Sequence, residues 1–353
     1  MSATIQEVAR AAGVSVSTVG RAFSNPKRVS NSTREHVLQV ASAMGYRVLR
    51  SASALKSGQS MRVALLVNET ASGWFNASVF SGMNTVLQKS GYDISVFERI
   101  DDAATRESFF STLPVRRNAD AVVVASFGID IKEADKLKTL KVPIVGINVP
   151  STQGFDASIS IDDSEGEAMA VKHLIHLGHR NLAYLCSEKT PDLTLDYSTD
   201  RRQIGFIKAC EQVSQNPENS NKGHKILQST ITLPRNPVQA IDAAIAKLFA
   251  LRTFPTAICC QSDGLAIPLL IRLQQYGKRI PQDCSIIGFD DALGSEAAGL
   301  TTIRQNPVDL GSRAAEMILS LIAGKPLKAS HQQSPVSLIP RRTDSLPNRS
   351  QVD

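Results

Sequence analysis

The chain of 353 residues is too long for one small domain and suits two or three units. Its composition, 42% hydrophobic and 20% charged, is that of a globular protein and excludes a fibrous or disordered one. The net charge of +6 is unevenly spread: residues 1–60 hold eight basic side chains against Glu7 and Glu35, so residues 61–353 net to zero. A basic N-terminal unit on a neutral body predicts a polyanionic partner, with nucleic acid the foremost candidate.

The runs AVVVA and TAICC are strand-sized, and no apolar stretch reaches the length of a membrane span. The opening MSATIQEVAR lacks the basic and apolar regions of a secretion signal, so a cytoplasmic location is expected. Cys186, Cys210, Cys259, Cys260 and Cys284 are odd in number and hold no C-x-x-C pair. They read as free thiols in a reducing compartment, forming neither a disulfide framework nor a zinc site.

In chain order, Thr4 with Glu7 three residues on forms a capping box that opens a helix through Ala12. Ile5, Val8, Ala9 and Ala12 share one face of it. Gly13 breaks this helix and Ser15 caps a second, SVSTVGRAF, with Val19 and Phe23 facing inward. Two short helices joined by a tight glycine turn make a helix-turn-helix. Asn25–Pro26 ends the second helix, and Ser32 is placed to cap a third running to about Met44.

The segments TIQEVARAAGVSVSTVGRAFS, VSNSTREHVLQVASAMGYR and ALKSGQS, in this order and spacing, resemble the DNA-binding head and hinge of the LacI/GalR family of bacterial repressors. The second helix of such a motif lies in the major groove and presents its N-terminal residues to base edges. Val16 then suits a thymine methyl, Ser17 an adaptable hydrogen bond, and Arg21 either a forked contact to guanine or a phosphate. Thr4, Ser15, Thr18, Ser30, Asn31 and Thr33 read as caps or phosphate contacts. The resemblance makes residues 1–46 the head and 47–60 the hinge. It also makes Leu55 the hinge leucine that wedges into the minor groove, an ordinary apolar linker residue being the alternative. Departures from the family are Val48–Leu49 in place of Pro-Asn, Ser53 in place of Arg, and Gly20 in place of Ser within the second helix.

From Arg62 the pattern alternates between short apolar strands and amphipathic helices. RVALLV, DISVFE, AVVVA, PIVGIN and SISI read as strands, with helices at 75–89, 104–113 and 131–140. A second series has strands NLAYL, KILQ, TAICC and CSIIGF, with helices at 164–177, 200–212, 237–250 and 264–276. Repeated β-α units predict parallel sheets covered on both faces. The expected fold is therefore a small all-α head plus an α/β core, residues 61–353, of two doubly wound lobes, similar to the periplasmic-binding-protein-like core of the same family. Lobe 1 is expected over about 61–161 and 292–323, with a crossing near Ala292, and lobe 2 over about 162–291 and 324–342. The tail RRTDSLPNRSQVD is polar and is expected to fray.

Ligands of open α/β sheets bind beyond the carboxyl ends of the strands. There the resemblance implies Arg202 and Asp290 as partners of sugar hydroxyls and Ser262 as an assistant, with Asn148, Trp74 and Phe75 lining the cleft from the other lobe. Trp74 reads equally as a dimer contact or lobe core. Arg202 is exchangeable with Arg201 on sequence alone, and a structural ion pair with Asp290 is the alternative to ligand contact. Asp162, Asp163 and Asp291 read as crossover and capping residues.

The spacing of His173, His176 and His179 does not hold up as a zinc site, because Gly178 ends the helix before His179. No phosphate loop and no G-x-S-x-G elbow is present, and no cofactor or catalytic role is expected. A transport binding protein would share the core but has no use for residues 1–60. The reading is a sequence-specific repressor that acts on a pseudo-palindromic operator as a homodimer, or as a tetramer of such dimers. Its DNA affinity is set by a small polar ligand, a sugar or nucleoside. The alternative is a DNA-binding regulator whose core answers to a partner protein.

Overall fold

The computed structural model describes residues 3–24, 28–46, 59–116, 118–188, 197–215, 226–234 and 237–348. They divide into two compact units, the first centred on residues before Arg62 and the second on those after it. Among them no helix is long and apolar enough to cross a membrane.

The first unit holds α1 (Ile5–Ala11), α2 (Val16–Ser24) and α3 (Asn31–Ala43). Thr4 and Glu7 close the capping box in both directions. Gly13 adopts φ +63, the left-handed turn that lets Val14 N–H return to Ala9 O at 3.0 Å. The cap of α3 is Ser30, not Ser32: Ser30 Oγ accepts from Thr33 N at 3.2 Å, two residues earlier than expected. Val8, Val19, Ala22 and Val37 are fully buried between the three helices. Phe23 meets Tyr46 edge-on at 5.8 Å.

The second unit contains two six-stranded sheets. The chain forms β1 (Arg62–Val67), α4 (Trp74–Leu87), β2 (Asp93–Phe97), α5 (Ala103–Thr112), β3 (Ala121–Ala125), α6 (Ile131–Lys138), β4 (Ile144–Ile147) and β5 (Ala157–Ile161). It continues with α7 (Asp163–His176), β6 (Asn181–Ser187), α8 (Ser198–Gln215), β7 (Leu227–Leu233), α9 (Pro237–Phe249), β8 (Ala257–Cys260), α10 (Asp263–Gln275) and β9 (Ser285–Asp290). The last elements are α11 (Ser295–Ala298), β10 (Thr301–Arg304), α12 (Pro307–Ile322), β11 (His331–Ser334) and β12 (Ser337–Ile339). The first sheet runs β11-β5-β4-β3-β1-β2 with every pair parallel. The second runs β12-β10-β9-β8-β6-β7, parallel except for the edge pair β10–β12. β3 is buried along its whole length, which is why AVVVA reads as a continuous apolar run rather than an alternation.

Glycines set the helix packing. A Cβ on Gly82 of α4 would lie 2.0 Å from the carbonyl oxygen of Val308, and one on Gly311 of α12 would lie 2.3 Å from that of Val79. In the second lobe a Cβ on Gly205 of α8 would lie 2.3 Å from Ser164 O at the start of α7. In each lobe two helices touch backbone to backbone, an approach that any side chain would block.

Three expectations are corrected. The crossing expected near Ala292 falls after Arg304, because β10 pairs with β9 and stays in the second sheet. The segment after α12 does not return directly to the second lobe: β11 first joins the first sheet beside β5, and only β12 goes back. The polar sequence HQQS hides an edge strand, fastened by Ser158 Oγ to His331 Nδ1 at 2.9 Å. Nor does the tail fray through Asn348. Thr343 is buried, accepts from Thr301 N and donates to Ile286 O, and Arg341 pairs with Asp291 at 2.6 Å. His179, buried at the end of the α7 turn, bonds Ser345 O at 2.8 Å. That carbonyl only accepts, so Nε2 carries the proton and Nδ1 faces Thr256 Oγ1 at 2.9 Å.

Candidate functional site

A cleft of about 800 Å³ opens where the loops at the carboxyl ends of both sheets meet. Trp74 and Phe75 at the start of α4 and Asn148 after β4 line it from the first lobe, and Arg202, Ser262 and Asp290 line it from the second. The lobes are stitched beside it by an antiparallel bridge between Phe127 and Tyr197, by Ser198 N–H donating to Ser126 O at 3.3 Å, and by Arg201 donating to Pro150 O. Arg201 and Arg202 therefore have different duties. One spans the lobes, and the other points into the second.

Arg202 is 3% exposed and organises the floor of the cleft. Its Nε donates to Asp163 Oδ1 at 2.7 Å, its Nη1 donates to Asp290 Oδ1 at 3.0 Å and to Gln261 O at 2.7 Å, and its guanidinium stacks 3.7 Å from the centroid of Phe289. This is the ion pair that stood as the alternative to ligand contact, yet Arg202 and Asp290 also line the cleft, so the pair forms its floor. Asp163 sits at the crossover, as expected of it, and is also part of the buried cluster. Asp162 provides the α7 cap, whereas Asp163 is fully buried against Arg202 and also accepts from Asn148 Nδ2 at 3.2 Å. Asn148, with φ +49, accepts at Oδ1 from Ile161 N–H at 3.1 Å and so ties β4 to the crossing into α7. Asp291 is held at 2.7 Å by Arg304 and at 2.6 Å by Arg341.

Burial pushes the Asp290 carboxyl up to about 7 against the pull of Arg202. Beneath it Glu167 on α7 is 1% exposed, and burial pushes its carboxyl up to about 8, again against Arg202. Its Oε1 has no hydrogen-bond partner among the described residues. The ionised cluster thus sets one guanidinium among several carboxyls, a charge imbalance relieved by keeping protons on the acids.

Sequence reading missed Glu167, because a glutamate on an amphipathic helix is ordinarily solvated. It also missed Gln305, which follows β10 and donates Nε2 to Asp290 Oδ1 at 2.7 Å. The segment LTTIRQ ending at Gln305 was the available signal. Asp263 lines the cleft too but is consumed by the fold. Its carboxylate accepts from Ala292 N, Ser295 Oγ and Thr302 Oγ1, and Gly288 leaves room for it. Ser262 precedes α10 without making a capping bond.

In the first unit, Val16, Ser17 and Arg21 are exposed on α2 while Val19 and Ala22 face the core. Ser15 Oγ caps Thr18 N at 3.1 Å, and Ser30 Oγ contacts Thr33 Oγ1 at 2.7 Å with Asn31 exposed beside them. Thr4 is held by Glu7. Leu55 lies outside the described residues, as does most of the hinge.

The profile of bacterial regulatory proteins of the lacI family matches residues 4–48, and a periplasmic binding protein-like domain matches residues 171–343. The repressor PurR of Mannheimia succiniciproducens is 28% identical over 330 residues, 92% of this chain and 94% of that protein. The regulator GalR of Escherichia coli is 28% identical over 350 residues, 98% of this chain and 97% of that protein. The lac repressor dimer bound to operator and the anti-inducer ONPF superposes with a TM-score of 0.80 at 23% identity, covering 98% of this chain and all of that one. With a lacI-type helix-turn-helix ahead of a two-lobed periplasmic-binding-protein-like core, and with transcriptional regulators rather than enzymes as its relatives, the chain belongs to the LacI/GalR family of bacterial transcription regulators.

Proposed function

We propose that the protein is a cytoplasmic repressor that binds a pseudo-palindromic operator as a homodimer and is controlled by a sugar or nucleoside held between its lobes. The observation that carries this reading is the cleft itself. Trp74, Phe75 and Asn148 face Arg202, Ser262 and Asp290 across it, an aromatic plate opposite polar groups already oriented by their own hydrogen bonds. Among the proteins of similar fold are a CelR–cellobiose complex and a regulator with bound ribose.

Residues 1–46 act as the head, 47–60 as the hinge and 61–353 as the core. Val16, Ser17 and Arg21 read bases, while Thr4, Ser15, Thr18, Ser30, Asn31 and Thr33 orient the head on the backbone. Leu55 wedges into the minor groove, so Leu55→Ala weakens specific binding far more than non-specific binding. Two heads meet half-sites about 34–36 Å apart, and the ligand biases the lobes between arrangements that permit or forbid this.

The test is a footprint on the DNA upstream of the gene, repeated with a panel of sugars and nucleosides. A protected pseudo-palindrome that vanishes or sharpens with one compound supports the reading. Protection indifferent to every compound removes the small-molecule control and leaves the DNA-binding half.

A further inference from the structure

Every pair in the first sheet is parallel, so its strands all begin along one side of the lobe. The helices α4, α5, α6 and α12, each of which leads into one of those strands, end on the same side. Main-chain bonds hold these beginnings together. Asp120 N–H donates to Arg62 O at 2.7 Å, Val122 N–H to Pro143 O at 2.9 Å and Ser158 N–H to Ser330 O at 2.8 Å.

This amino end of the sheet is basic. Besides Arg62 at the start of β1, it carries Lys89, Arg116, Lys138, Lys141, Lys325 and Lys328, all exposed, against Asp93, Asp120 and Asp156. Lys138 meets Asp135 only at 3.7 Å, with both side chains more than half exposed. The other five form no ion pair among the described residues. At the carboxyl end, the loops leaving β1, β2 and β3 hold Glu69, Glu98, Asp101, Asp102 and Asp130 against Arg99. Residues 61–353 net to zero, so charge is separated across this lobe rather than in general excess.

Helix dipoles do not account for the separation. A cation complements the carboxyl end of a helix only within its last turn. Arg116 stands four residues beyond α5, and Lys325 and Lys328 stand three and six beyond α12. The chain from the head enters the core at this same end. Residues 47–61 join Tyr46 to Arg62 and span at most about 55 Å when fully extended.

We propose that the amino end of the first lobe is a second DNA-binding surface, which holds phosphates of the duplex that the head engages and adds affinity without reading sequence. The proposal goes beyond the head and hinge and rests on the family's binding of DNA. Each lysine or arginine that neutralises a phosphate releases a condensed counterion. Lysine is a flexible point charge, which suits a phosphate better than the fixed geometry of a base edge.

The test compares two full-length variants of equal net charge. One carries Arg116→Gln, Lys141→Gln, Lys325→Gln and Lys328→Gln. The other carries Lys132→Gln, Lys172→Gln, Lys208→Gln and Lys247→Gln, four exposed positions elsewhere on the core. Binding to a long random-sequence duplex is measured between about 50 and 200 mM salt. The first variant is expected to bind about tenfold more weakly, with a salt slope shallower by about 2–4, at about 0.9 per lost phosphate contact. The second is expected to stay within about threefold of the unaltered chain. Equal weakening of both, or none in the first, overturns the proposal and leaves the DNA-binding role of the head standing. Lysine acetylation of the unaltered chain gives a reading that does not depend on how a variant folds. Duplex is expected to protect Lys141, Lys325 and Lys328 and to leave Lys172 and Lys208 reactive. Uniform reactivity with and without duplex overturns the proposal. Polyglutamate protecting the same three lysines as well as duplex assigns the surface to acidic chains in general and overturns it too.

Discussion

Arg202 on α8 donates to Asp163 at the first turn of α7 across 2.7 Å, with both side chains buried, and the same guanidinium reaches Asp290 at the end of β9. One cation therefore ties two helices and the strand end that floors the cleft. Removing one partner of a buried ion pair leaves the other charge uncompensated, which costs about 3–5 kcal/mol, whereas an exposed pair costs little. Arg202→Met is expected to lower the unfolding free energy of the full chain, measured in urea, by that amount, and the exposed pair Arg272–Asp242 provides the control, with Arg272→Met expected to cost less than about 1 kcal/mol. Equal losses would mean that the cluster contributes only at the level of surface charge.

The cluster also fixes a pH dependence. The carboxyls of Glu167 and Asp290 are raised to about 8 and about 7, so the folded chain keeps protons that the unfolded chain releases at ordinary carboxylate values. Their contribution to stability is complete below the unfolded carboxylate range and is lost as the pH rises through 7 and 8. Glu167→Gln removes one such proton, and the fall in unfolding free energy between about pH 5 and 8 is expected to flatten by about 1.4 kcal/mol per pH unit. Denaturant titrations at several pH values measure it, and an unchanged slope would show that Glu167 is ionised in the folded chain.

Two glycines on helices are expected to respond oppositely to alanine. At Gly205 the new methyl would press on the Ser164 backbone at 2.3 Å, and overpacking of this kind costs about 1–3 kcal/mol. At Gly20, in the interior of α2, an added Cβ meets nothing within 4 Å, and alanine gains about 1 kcal/mol of helix propensity. Thermal unfolding reads the first change. Amide exchange along α2 reads the second.

Arg21 distinguishes base reading from backbone positioning. Under the proposed role as a base reader, Arg21→Ala costs about 1–3 kcal/mol on the operator and relaxes preference at one base pair. A uniform loss on all DNA, with a shallower salt dependence, would assign Arg21 to a phosphate instead.

The ordered tail should be needed for the second lobe. Truncation after Pro340 removes the bonds of Arg341 to Asp291, of Thr343 to Ile286 O and of Ser345 to His179, each contributing about 1 kcal/mol net. It also leaves the buried His179 and Thr301 groups facing no partner from that segment. A fall in melting temperature of several degrees is expected, and a chain that melts unchanged would show the tail to be dispensable.

What the sequence determined on its own was local or periodic. Thr4 with Glu7 announced α1, because a capping box closes within three residues, and AVVVA announced a buried parallel strand, because burial on both faces removes alternation. The head, the alternating β-α order and the strand-end positions of Asn148 and Asp290 were legible for the same reason. Tertiary structure alone decided that His331–Ser334 is a strand, since its polar residues gain their hydrogen bonds from β5 rather than from any pattern of their own. It likewise decided that Thr343 is interior and that Glu167 is a buried acid. Above all it decided the fate of Arg202, whose partners Asp163 and Asp290 lie 39 and 88 positions away. No spacing rule spans such distances, because the charges meet only after two helices and a sheet have packed and excluded the water that would otherwise solvate them.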